Sequence, residues 1–245
     1  MKYFCLLAMW IICLIPEVKS QSPYTLNPSV EPRLTLGSLL LNGGVGLWER
    51  ELEPLSLDLI MSQDPNKVNG LDRIATQNWN PKVAKVSDAI LYSSIAIPLT
   101  LGLDQGIAKG YGDVSVMWLQ TLSLNFLATS LTKVLVKRRR PYTYNPDLDL
   151  RRKINTPEKR RRNARLSFFS GHTSTTAAMA FFTAQTYNDF YPDKNSRYVV
   201  WASSALIPAA VGLMRVKAGR HYPTDVIVGY LVGAAVGILV PRLHR

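Results

Sequence analysis

Two of the three histidines in the chain stand beside residue types that serve acid–base and phosphoryl-transfer chemistry. His221 and Asp225 are four residues apart, so on a helix they share one face and the carboxylate can accept a hydrogen bond from a ring nitrogen. Such a bond fixes the tautomer and leaves the other nitrogen free as a nucleophile or base. Taken alone, the spacing fits a capped helix with a surface His–Asp pair equally well.

His172 lies in a second candidate cluster, directly after Ser170 and Gly171 and before an apolar stretch. Ser170 is a suitable N-cap residue, and the free backbone N–H groups at a helix start can bind an anion. An imidazole in this first turn would meet the same anion. Taken alone, these three residues fit a capping turn with an incidental histidine better than a site.

The third cluster is basic and ends in a proline. Lys133 and Arg140 are seven residues apart, which is two helical turns, and Pro141 cannot continue an ordinary helix. Long cationic side chains at such a position are also typical of a membrane boundary. Arg215 adds one more cation shortly before His221.

Five uncharged, apolar-rich runs lie before, between and after these clusters. They are residues 89–103, 114–132, 173–188, 198–214 and 226–241. Apolar residues occupy every face of each run, which favours buried helices over strands. Only 114–132 is comfortably long enough to cross a bilayer alone. We therefore expect an all-α helical bundle, preferably a polytopic membrane protein with about five or six membrane helices, with a soluble bundle as the alternative.

Consecutive helices that alternate in direction would bring the clusters to one end of such a bundle. The ends of 114–132 and 198–214 would meet the starts of 173–188 and 226–241. The residues gathered there would be Lys133, Arg140, Ser170, His172, Arg215, His221 and Asp225. A pocket with three cations, two imidazoles and no evident metal cage suits a phosphate dianion.

The order and spacing of these residues resemble the superfamily of type 2 phosphatidic acid phosphatases, bacterial acid phosphatases and vanadium haloperoxidases. Its three motifs are matched by Lys133…Arg140-Pro141, Ser170-Gly171-His172 and Arg215…His221…Asp225. The chain is most similar to the membrane-bound lipid phosphatases of that group. It departs from the pattern at Phe169, where the family has proline, and at Met214, where the family has serine.

The resemblance implies a phosphatase that works through a phosphohistidine and uses neither a metal nor another cofactor. His221 would be the nucleophile, Asp225 would hold its other ring nitrogen, and His172 would be the general acid and later the base. The phosphate would be bound by Lys133, Arg140, Ser170, Gly171 and Arg215.

The N-terminus and the charge narrow the class of partner. The net charge of +12 suits nucleic acid, anionic lipid or a phosphorylated substrate. Residues 1–20 carry one early positive charge and a short apolar core, which predicts a signal peptide cleaved before Gln21 or an uncleaved anchor. Either one directs the chain to a membrane and argues against nucleic acid. Cys5 and Cys13 both lie in this segment, so a processed chain holds no disulfide.

Two further segments complete the predicted organisation. Residues 21–86 are expected to form an N-terminal extension without evident chemistry, and residues 87–245 a catalytic domain of the type 2 phosphatidic acid phosphatase kind. Within that domain, the arginine-rich segment 142–165 either gathers anionic headgroups or is a solvated loop.

The expected substrate is a phosphomonoester or diphosphate of a membrane lipid, such as phosphatidate, phosphatidylglycerol phosphate, an isoprenyl diphosphate or a lipid A phosphate. The expected location is a bacterial-type inner membrane with the site facing the periplasm. One alternative is a soluble periplasmic non-specific acid phosphatase. Another is a membrane protein that binds anionic lipid without turnover. The sequence does not indicate an oligomeric state.

Overall fold

The computed structural model describes residues 22–245, and this part of the chain folds into helices joined by loops, without a strand. The α-helices are α1 (Glu31–Arg50), α2 (Leu57–Met61), α3 (Gly70–Arg73), α4 (Pro81–Ala96), α5 (Gln105–Ala108), α6 (Tyr111–Val136), α7 (Leu148–Asn155), α8 (Glu158–Asn163), α9 (Gly171–Phe190), α10 (Ser196–Lys217) and α11 (Pro223–Leu243). Short 3₁₀ helices cover Pro65–Lys67, Ile74–Gln77, Ile97–Leu103 and Pro141–Tyr144. The predicted signal or anchor and both cysteines lie outside the described residues. The all-α prediction is confirmed, and each of the five apolar runs forms a helix.

Helix α9 is the centre of the bundle, and α4, α6, α10 and α11 pack around it. Most of its side chains are small and buried, and short Ala, Ser and Thr side chains let neighbouring backbones approach closely. Two of its buried hydroxyls are paired with α6. Ser174 donates to the Asn125 side-chain oxygen at 2.5 Å, and the Asn125 amide nitrogen donates to Thr175 at 3.0 Å. These bonds fix the relative position of α6 and α9.

The contact between α9 and α11 depends on glycine. A Cβ atom at Gly233 would lie 2.0 Å from the carbonyl oxygen of Ser174, and one at Gly229 would lie 2.7 Å from that of Ser170. Both distances are too short for any side chain, so only glycine allows this approach. As a result the backbone N–H of Ser170 reaches the carbonyl oxygen of Asp225 at 2.9 Å, and two of the predicted clusters are joined.

Four segments of the described chain are long and apolar enough to cross a membrane. They are Pro81–Leu103, Tyr111–Tyr144, Ser196–Lys217 and Pro223–Leu243. Helix α9, which contains the remaining predicted run, 173–188, is rich in Ser and Thr and does not meet that criterion. The predicted number of five or six membrane helices therefore stays a prediction.

Helix α1 lies in the segment predicted as an extension, and it packs along α6. Its polar side chains face the protein: Ser38 and Ser123 share a hydrogen bond of 2.8 Å, and Asn42 donates to the Ser123 carbonyl at 2.8 Å. Its leucines point outward, and Leu40 and Leu41 are more than half exposed. This arrangement is the reverse of a soluble amphipathic helix, so an apolar environment suits the outer face.

Candidate active site

The ends of α6 and α10 meet the starts of α9 and α11, as predicted, and the loops around them enclose a cavity of about 580 Å³. Its lining residues are Ala84, Asp88, Tyr92, Lys133, Arg140, Tyr142, Pro157, Lys159, Arg160, Asn163, His172, Arg215, Arg220 and His221. Five of the eight predicted site residues are therefore on the wall. They are Lys133, Arg140, His172, Arg215 and His221.

The other three predicted residues lie behind the wall. Ser170 is completely buried, where its hydroxyl lies 3.0 Å from that of Thr173 and accepts from the Thr173 N–H. Gly171 packs directly against Lys133, because a Cβ atom there would lie 3.1 Å from the Lys133 ammonium nitrogen. Asp225 is also completely buried. In this structure Ser170 caps α9, and phosphate binding by Ser170 and Gly171 stays a prediction.

His221 is almost completely buried, and each of its ring nitrogens lies within hydrogen-bond distance of a neighbouring residue. Nδ1 lies 2.8 Å from the carbonyl oxygen of Ser167. Because a carbonyl only accepts, Nδ1 carries the proton, and Nε2 holds the free electron pair. Nε2 lies 3.1 Å from Nη1 of Arg140, which donates to it. The imidazole thus presents an unprotonated nitrogen to the cationic part of the cavity.

The link between His221 and Asp225 is indirect, which differs from the expected His–Asp hydrogen bond. The nearest carboxylate oxygen of Asp225 is 3.6 Å from Nδ1, beyond hydrogen-bond distance. That same oxygen accepts from the Ser167 hydroxyl at 2.6 Å and from the Tyr222 backbone N–H at 3.0 Å. Asp225 therefore holds the two backbone segments that position the imidazole, and the Ser167 carbonyl sets the tautomer.

Asp225 is also tied to the N-terminal segment through Arg138. The Arg138 guanidinium donates to Asp225 at 2.5 Å and to Asp72 at 2.6 Å. Asp72 in turn accepts from the backbone N–H and the hydroxyl of Thr224, at the start of α11. Burial raises the pKa of Asp72, but hydrogen bonds from Asn69, Thr224 and Arg138 outweigh burial and hold that pKa below its usual value. Residues 21–86 thus contribute a positioning carboxylate that the sequence did not reveal.

The cations predicted to bind phosphate reach the cavity from three directions. Arg140 is held by the carbonyl oxygens of Asn163, at 3.0 Å, and Arg220, at 2.9 Å. Lys133 projects from the last turns of α6 beside the start of α9. Arg215 comes from the last turn of α10. Carbonyl contacts orient the Arg140 guanidinium without neutralising it.

Asp88, on α4, is the one carboxylate among the residues that line the cavity. One of its oxygens accepts from Nε2 of His172 at 2.7 Å and from Nη1 of Arg215 at 2.9 Å. Burial and then Arg215 lower the pKa of His172 to about 3, while Asp88 opposes this shift. Sequence reasoning missed Asp88. Its only signal was an acidic residue at the edge of an apolar run.

Charge in the cavity is strongly unbalanced. Six cationic side chains line it, against the single carboxylate of Asp88. Burial, followed by Arg140, Arg215 and Lys133, holds the pKa of His221 well below its usual value, so the imidazole is neutral at neutral pH. Within residues 22–245 no group of three or more His, Cys, Asp or Glu side chains could hold a metal ion. An anion is the ligand that this electrostatic environment favours.

The basic segment 142–165 divides into three parts. Arg151 is buried and donates to backbone carbonyls, including that of Gln63 at 2.8 Å, so it is structural. Lys159 and Arg160 line the cavity. Arg152 and Lys153 are exposed on α7. Of the two alternatives for this segment, the structure disfavours a solvated loop, because the segment forms α7 and α8 and folds onto the site, whereas binding of anionic headgroups stays a prediction.

Gly219 determines how the chain enters α11. Its φ is +67°, in the left-handed region, and a Cβ atom there would lie 2.0 Å from the carbonyl oxygen of Asn78. This turn places Arg220 and His221 on the cavity wall. Of the two departures from the family pattern, Phe169 is buried beside Ser170, and nothing in the structure explains Met214.

The sequence pattern that defines the PAP2 superfamily matches residues 115–245. The chain is 29% identical to a lipid A 4′-phosphatase from Porphyromonas gingivalis over 133 residues, which are 54% of this chain and 50% of that protein. It is 37% identical to a decaprenylphosphoryl-5-phosphoribose phosphatase from Mycolicibacterium smegmatis over 115 residues, 46% of this chain and 52% of that protein. The match therefore spans about half the length of each of these relatives.

Among solved structures, the fold is similar to a transmembrane PAP2-type phosphatidylglycerolphosphate phosphatase from Bacillus subtilis. The TM-score is 0.52 and the sequence identity 20%, with 87% of this chain and 94% of that one covered. The similarity extends beyond residues 115–245 and therefore includes part of the N-terminal segment.

Proposed function

The chain belongs to the PAP2 superfamily, and we propose that it is a membrane-embedded phosphatase that removes the terminal phosphate of a phosphorylated lipid. The observation that carries this proposal is the unprotonated Nε2 of His221, which faces a cavity rich in cations. The relatives supply the substrate class, since both are named as phosphatases of phosphorylated lipids.

The first step of the proposed reaction is binding of the phosphoryl group. Its equatorial oxygens contact Lys133, Arg140 and Arg215, and the two guanidinium groups each offer a planar pair of donors. Arg140 transfers its hydrogen bond from Nε2 of His221 to the phosphate, which frees the nitrogen lone pair. Phosphoryl transfer depends mainly on such positioning and charge neutralisation.

Attack then forms a phosphohistidine. A P–N bond forms between the phosphorus and Nε2 of His221 while the P–O bond to the lipid alcohol breaks. His172, protonated at this stage, moves its Nε2 proton from Asp88 to the departing oxygen, so the alcohol leaves neutral and the imidazole becomes uncharged. The bound dianion neutralises Arg215 and Lys133, which otherwise keep His172 unprotonated, and so allows His172 to carry the transferred proton.

The second half of the reaction regenerates the enzyme. His172 takes a proton from a water molecule, the water oxygen bonds to phosphorus, and the P–N bond breaks. Inorganic phosphate leaves, and His221 returns to its neutral form. Asp225 stays a positioning residue throughout, because it contacts the Ser167 hydroxyl and the Tyr222 N–H rather than the reacting nitrogen.

The decisive experiment measures phosphate release from purified protein with a panel of lipid and soluble phosphates. Phosphatidate, phosphatidylglycerol phosphate, an isoprenyl diphosphate and p-nitrophenyl phosphate should be compared in wild type, His172→Ala and His221→Ala. We expect lipid phosphates to be hydrolysed, with no loss in excess chelator. Phosphate release that persists in His221→Ala would refute the nucleophile assignment.

The intermediate can be observed directly. An alkaline detergent quench of a reaction with substrate labelled at the terminal phosphate should trap a phosphoprotein in wild type, and this label should be stable to base and lost in acid. His172→Ala should slow both formation and decay of this species. A label that is stable to acid would indicate a serine or threonine ester and contradict the phosphohistidine.

Two alternatives, a soluble acid phosphatase and a non-catalytic lipid-binding protein, can be tested by the same substrate panel together with extraction of the protein without detergent. A soluble enzyme would be extracted without detergent and would prefer small phosphomonoesters. A binding protein would retain lipid without releasing phosphate. The exposed apolar side chains on α1 and on the four membrane-length segments support the membrane protein.

We further propose that the chain lies in a bacterial-type inner membrane with its cavity facing the periplasm. Cysteine labelling tests this orientation after Cys5 and Cys13 are replaced, because no other cysteine occurs. Exposed Lys153 lies at the cavity end and exposed Asp193 beyond the end of α9. An impermeant maleimide should label Lys153→Cys from the periplasm and leave Asp193→Cys unlabelled. The opposite pattern would place the site in the cytoplasm.

A further inference from the structure

Two arginines on the cavity wall stack on one tryptophan. The guanidinium carbon of Arg220 lies 4.7 Å from the ring centroid of Trp79, and that of Arg160 lies 5.1 Å from it. Arg220 also lies 5.9 Å from the ring centroid of Tyr142. Aromatic faces restrict the orientation of a guanidinium without using its N–H donors. Both arginines therefore keep donors available to a ligand.

These arginines lack the neutralising partners that others in the described chain have. Arg138 contacts two carboxylates, and Arg162 is paired with Glu158. Within residues 22–245 no carboxylate oxygen comes within 4.0 Å of a side-chain nitrogen of Arg160 or Arg220. Both side chains are half-buried, so each presents a positive charge, unpaired within the described residues, that is available to an anion in the cavity.

This pair of arginines lies beside the proposed phosphate site. Burial, then the positive charges of Arg160 and Arg140, lower the pKa of Arg220 to about 10. The Arg220 guanidinium therefore stays cationic at neutral pH and is repelled by both neighbouring arginines. The Arg220 carbonyl accepts from Arg140, and the next residue is His221. At about 580 Å³, the cavity has the size of a site for a whole headgroup.

We propose that Arg160 and Arg220, held by Trp79, form a second anion subsite. It binds a further phosphate or phosphodiester of the same substrate while Lys133, Arg140 and Arg215 hold the phosphate that is cleaved. This inference rests on the proposed phosphatase function and specifies its substrate class: a lipid headgroup with at least two anionic groups.

The test compares two lipids with identical acyl chains in mixed micelles. Phosphatidate carries only the phosphate that is cleaved, whereas phosphatidylglycerol phosphate carries a phosphodiester as well. In Arg160→Gln, Arg220→Gln and the double variant, kcat/KM for phosphatidylglycerol phosphate should fall about tenfold to a hundredfold, because charge-assisted hydrogen bonds are lost. The value for phosphatidate should change less than threefold. Arg220→Lys, which keeps the charge but not the planar fork, should show an intermediate loss.

A matched control separates the subsite from general attraction of anionic lipid. Arg152 is exposed on α7, in the same basic segment, and does not line the cavity. Arg152→Gln should leave the ratio of the two kcat/KM values unchanged. Addition of phosphatidylglycerol to the micelles tests the other source of the anion, a neighbouring lipid. If it removes the selectivity of wild type as effectively as the substitutions do, the subsite binds a separate lipid and the proposal is overturned.

The remaining outcomes are also decisive. Equal losses on both lipids would make the pair part of the phosphate clamp, and no loss on either would make it structural; both overturn the proposal. If wild type hydrolyses neither lipid, the proposed phosphatase function fails, and binding then tests the subsite. In that case inorganic pyrophosphate should raise the thermal unfolding temperature of wild type more than phosphate does. Persistence of this difference in the double variant would refute the subsite.

Discussion

The two ends of the helix bundle both bury charged side chains, and they differ in the balance of that charge. At the cavity end Arg138 and Arg215 are paired with carboxylates, but three further cations have no such partner among residues 22–245. At the cavity end, no carboxylate within the described chain lies within salt-bridge distance of Lys133, Arg140 or Arg220. At the far end, Glu31 accepts from Gln120 at 2.8 Å and lies 3.0 Å from Nε2 of His244.

A second far-end group is satisfied in the same way. The carboxylate of Asp189, at the C-terminal end of α9, is completely buried. It accepts from Tyr24 at 3.1 Å, Gln185 at 3.0 Å and Arg245 at 3.0 Å. Charges that are paired within the protein need no ligand, whereas a surplus of one sign favours binding of an ion of the opposite sign. The comparison therefore assigns binding to one end and structure to the other.

The different roles of the two ends are tested most directly by substitution of one histidine at each end. His221→Ala should lower kcat by at least about 10⁴-fold, because it removes the proposed nucleophile. His244→Ala, the matched control, should retain activity within about threefold. Phosphate release from a lipid phosphate, measured on protein of equal folded fraction, checks both. Comparable losses in the two variants would show that the ends do not divide the roles in this way.

The second largest effect is expected for a phosphate clamp. Arg215→Gln removes one planar pair of donors from the developing charge and should lower kcat/KM about 10²- to 10³-fold. It should also reduce the increase in unfolding temperature that inorganic phosphate produces in wild type. Unchanged stabilisation by phosphate in this variant would place the anion elsewhere.

Much of this end could be predicted from the sequence, and the reasons are physical. Lys133 with Arg140, and His221 with Asp225, are close in sequence, so the end of α6 and the start of α11 carry each pair to the same end of the bundle. The expected shared helix faces are not formed, because α6 ends at Val136, before Arg140, and α11 begins at Pro223, after His221. The order of the helices then brings the clusters together. The helical fold and the family prediction are both confirmed.

The residues that the sequence did not reveal depend on distant contacts. Asp88 contacts His172 from 84 residues away, and Asp72 contacts Thr224 from 152 residues away. No local spacing records such pairs, since they depend on how α4 and the N-terminal segment pack. The His221–Asp225 spacing was itself incomplete evidence, because the Ser167 carbonyl accepts the bond expected for Asp225.

Asp88→Asn tests the one negative charge on the cavity wall. The substitution removes the carboxylate that competes with phosphate for Arg215, so phosphate or vanadate should bind about tenfold more tightly. Asp88 raises the pKa of His172, so its loss leaves less of the protonated His172 that donates to the leaving group. For this reason kcat should fall about tenfold. KM and kcat should therefore fall together and leave kcat/KM nearly unchanged. A merely structural role would lower stability without this split.

The pH dependence of stability follows from the neutral His221. Its pKa in the folded protein is lower than in the unfolded chain, so the unfolded state binds more protons below about pH 6.5. Stability is therefore complete above that pH and falls as the pH decreases towards the folded pKa. One such group contributes up to about 1.4 kcal/mol per pH unit, or about 3–6 °C in unfolding temperature. Thermal unfolding of wild type between pH 7 and pH 5 should show this slope, and His221→Ala should show a shallower one. Equal slopes would contradict the assignment.

The smallest effect on turnover, and the best refinement of the comparison, is expected for Asp189→Asn at the far end. The amide keeps the shape but removes the charge that Arg245 contacts, and it reorders the bonds from Tyr24 and Gln185. Stability should fall by about 2 kcal/mol, which lowers the unfolding temperature by about 4–8 °C. Turnover per folded molecule, and stabilisation by phosphate, should stay within about twofold of wild type, because the cavity lies at the other end of α9. Tyr24→Phe removes only one donor and should cause about half of this destabilisation. If Asp189→Asn instead weakened phosphate binding tenfold, the two ends would be coupled through α9, and the far end would regulate the site rather than only support it.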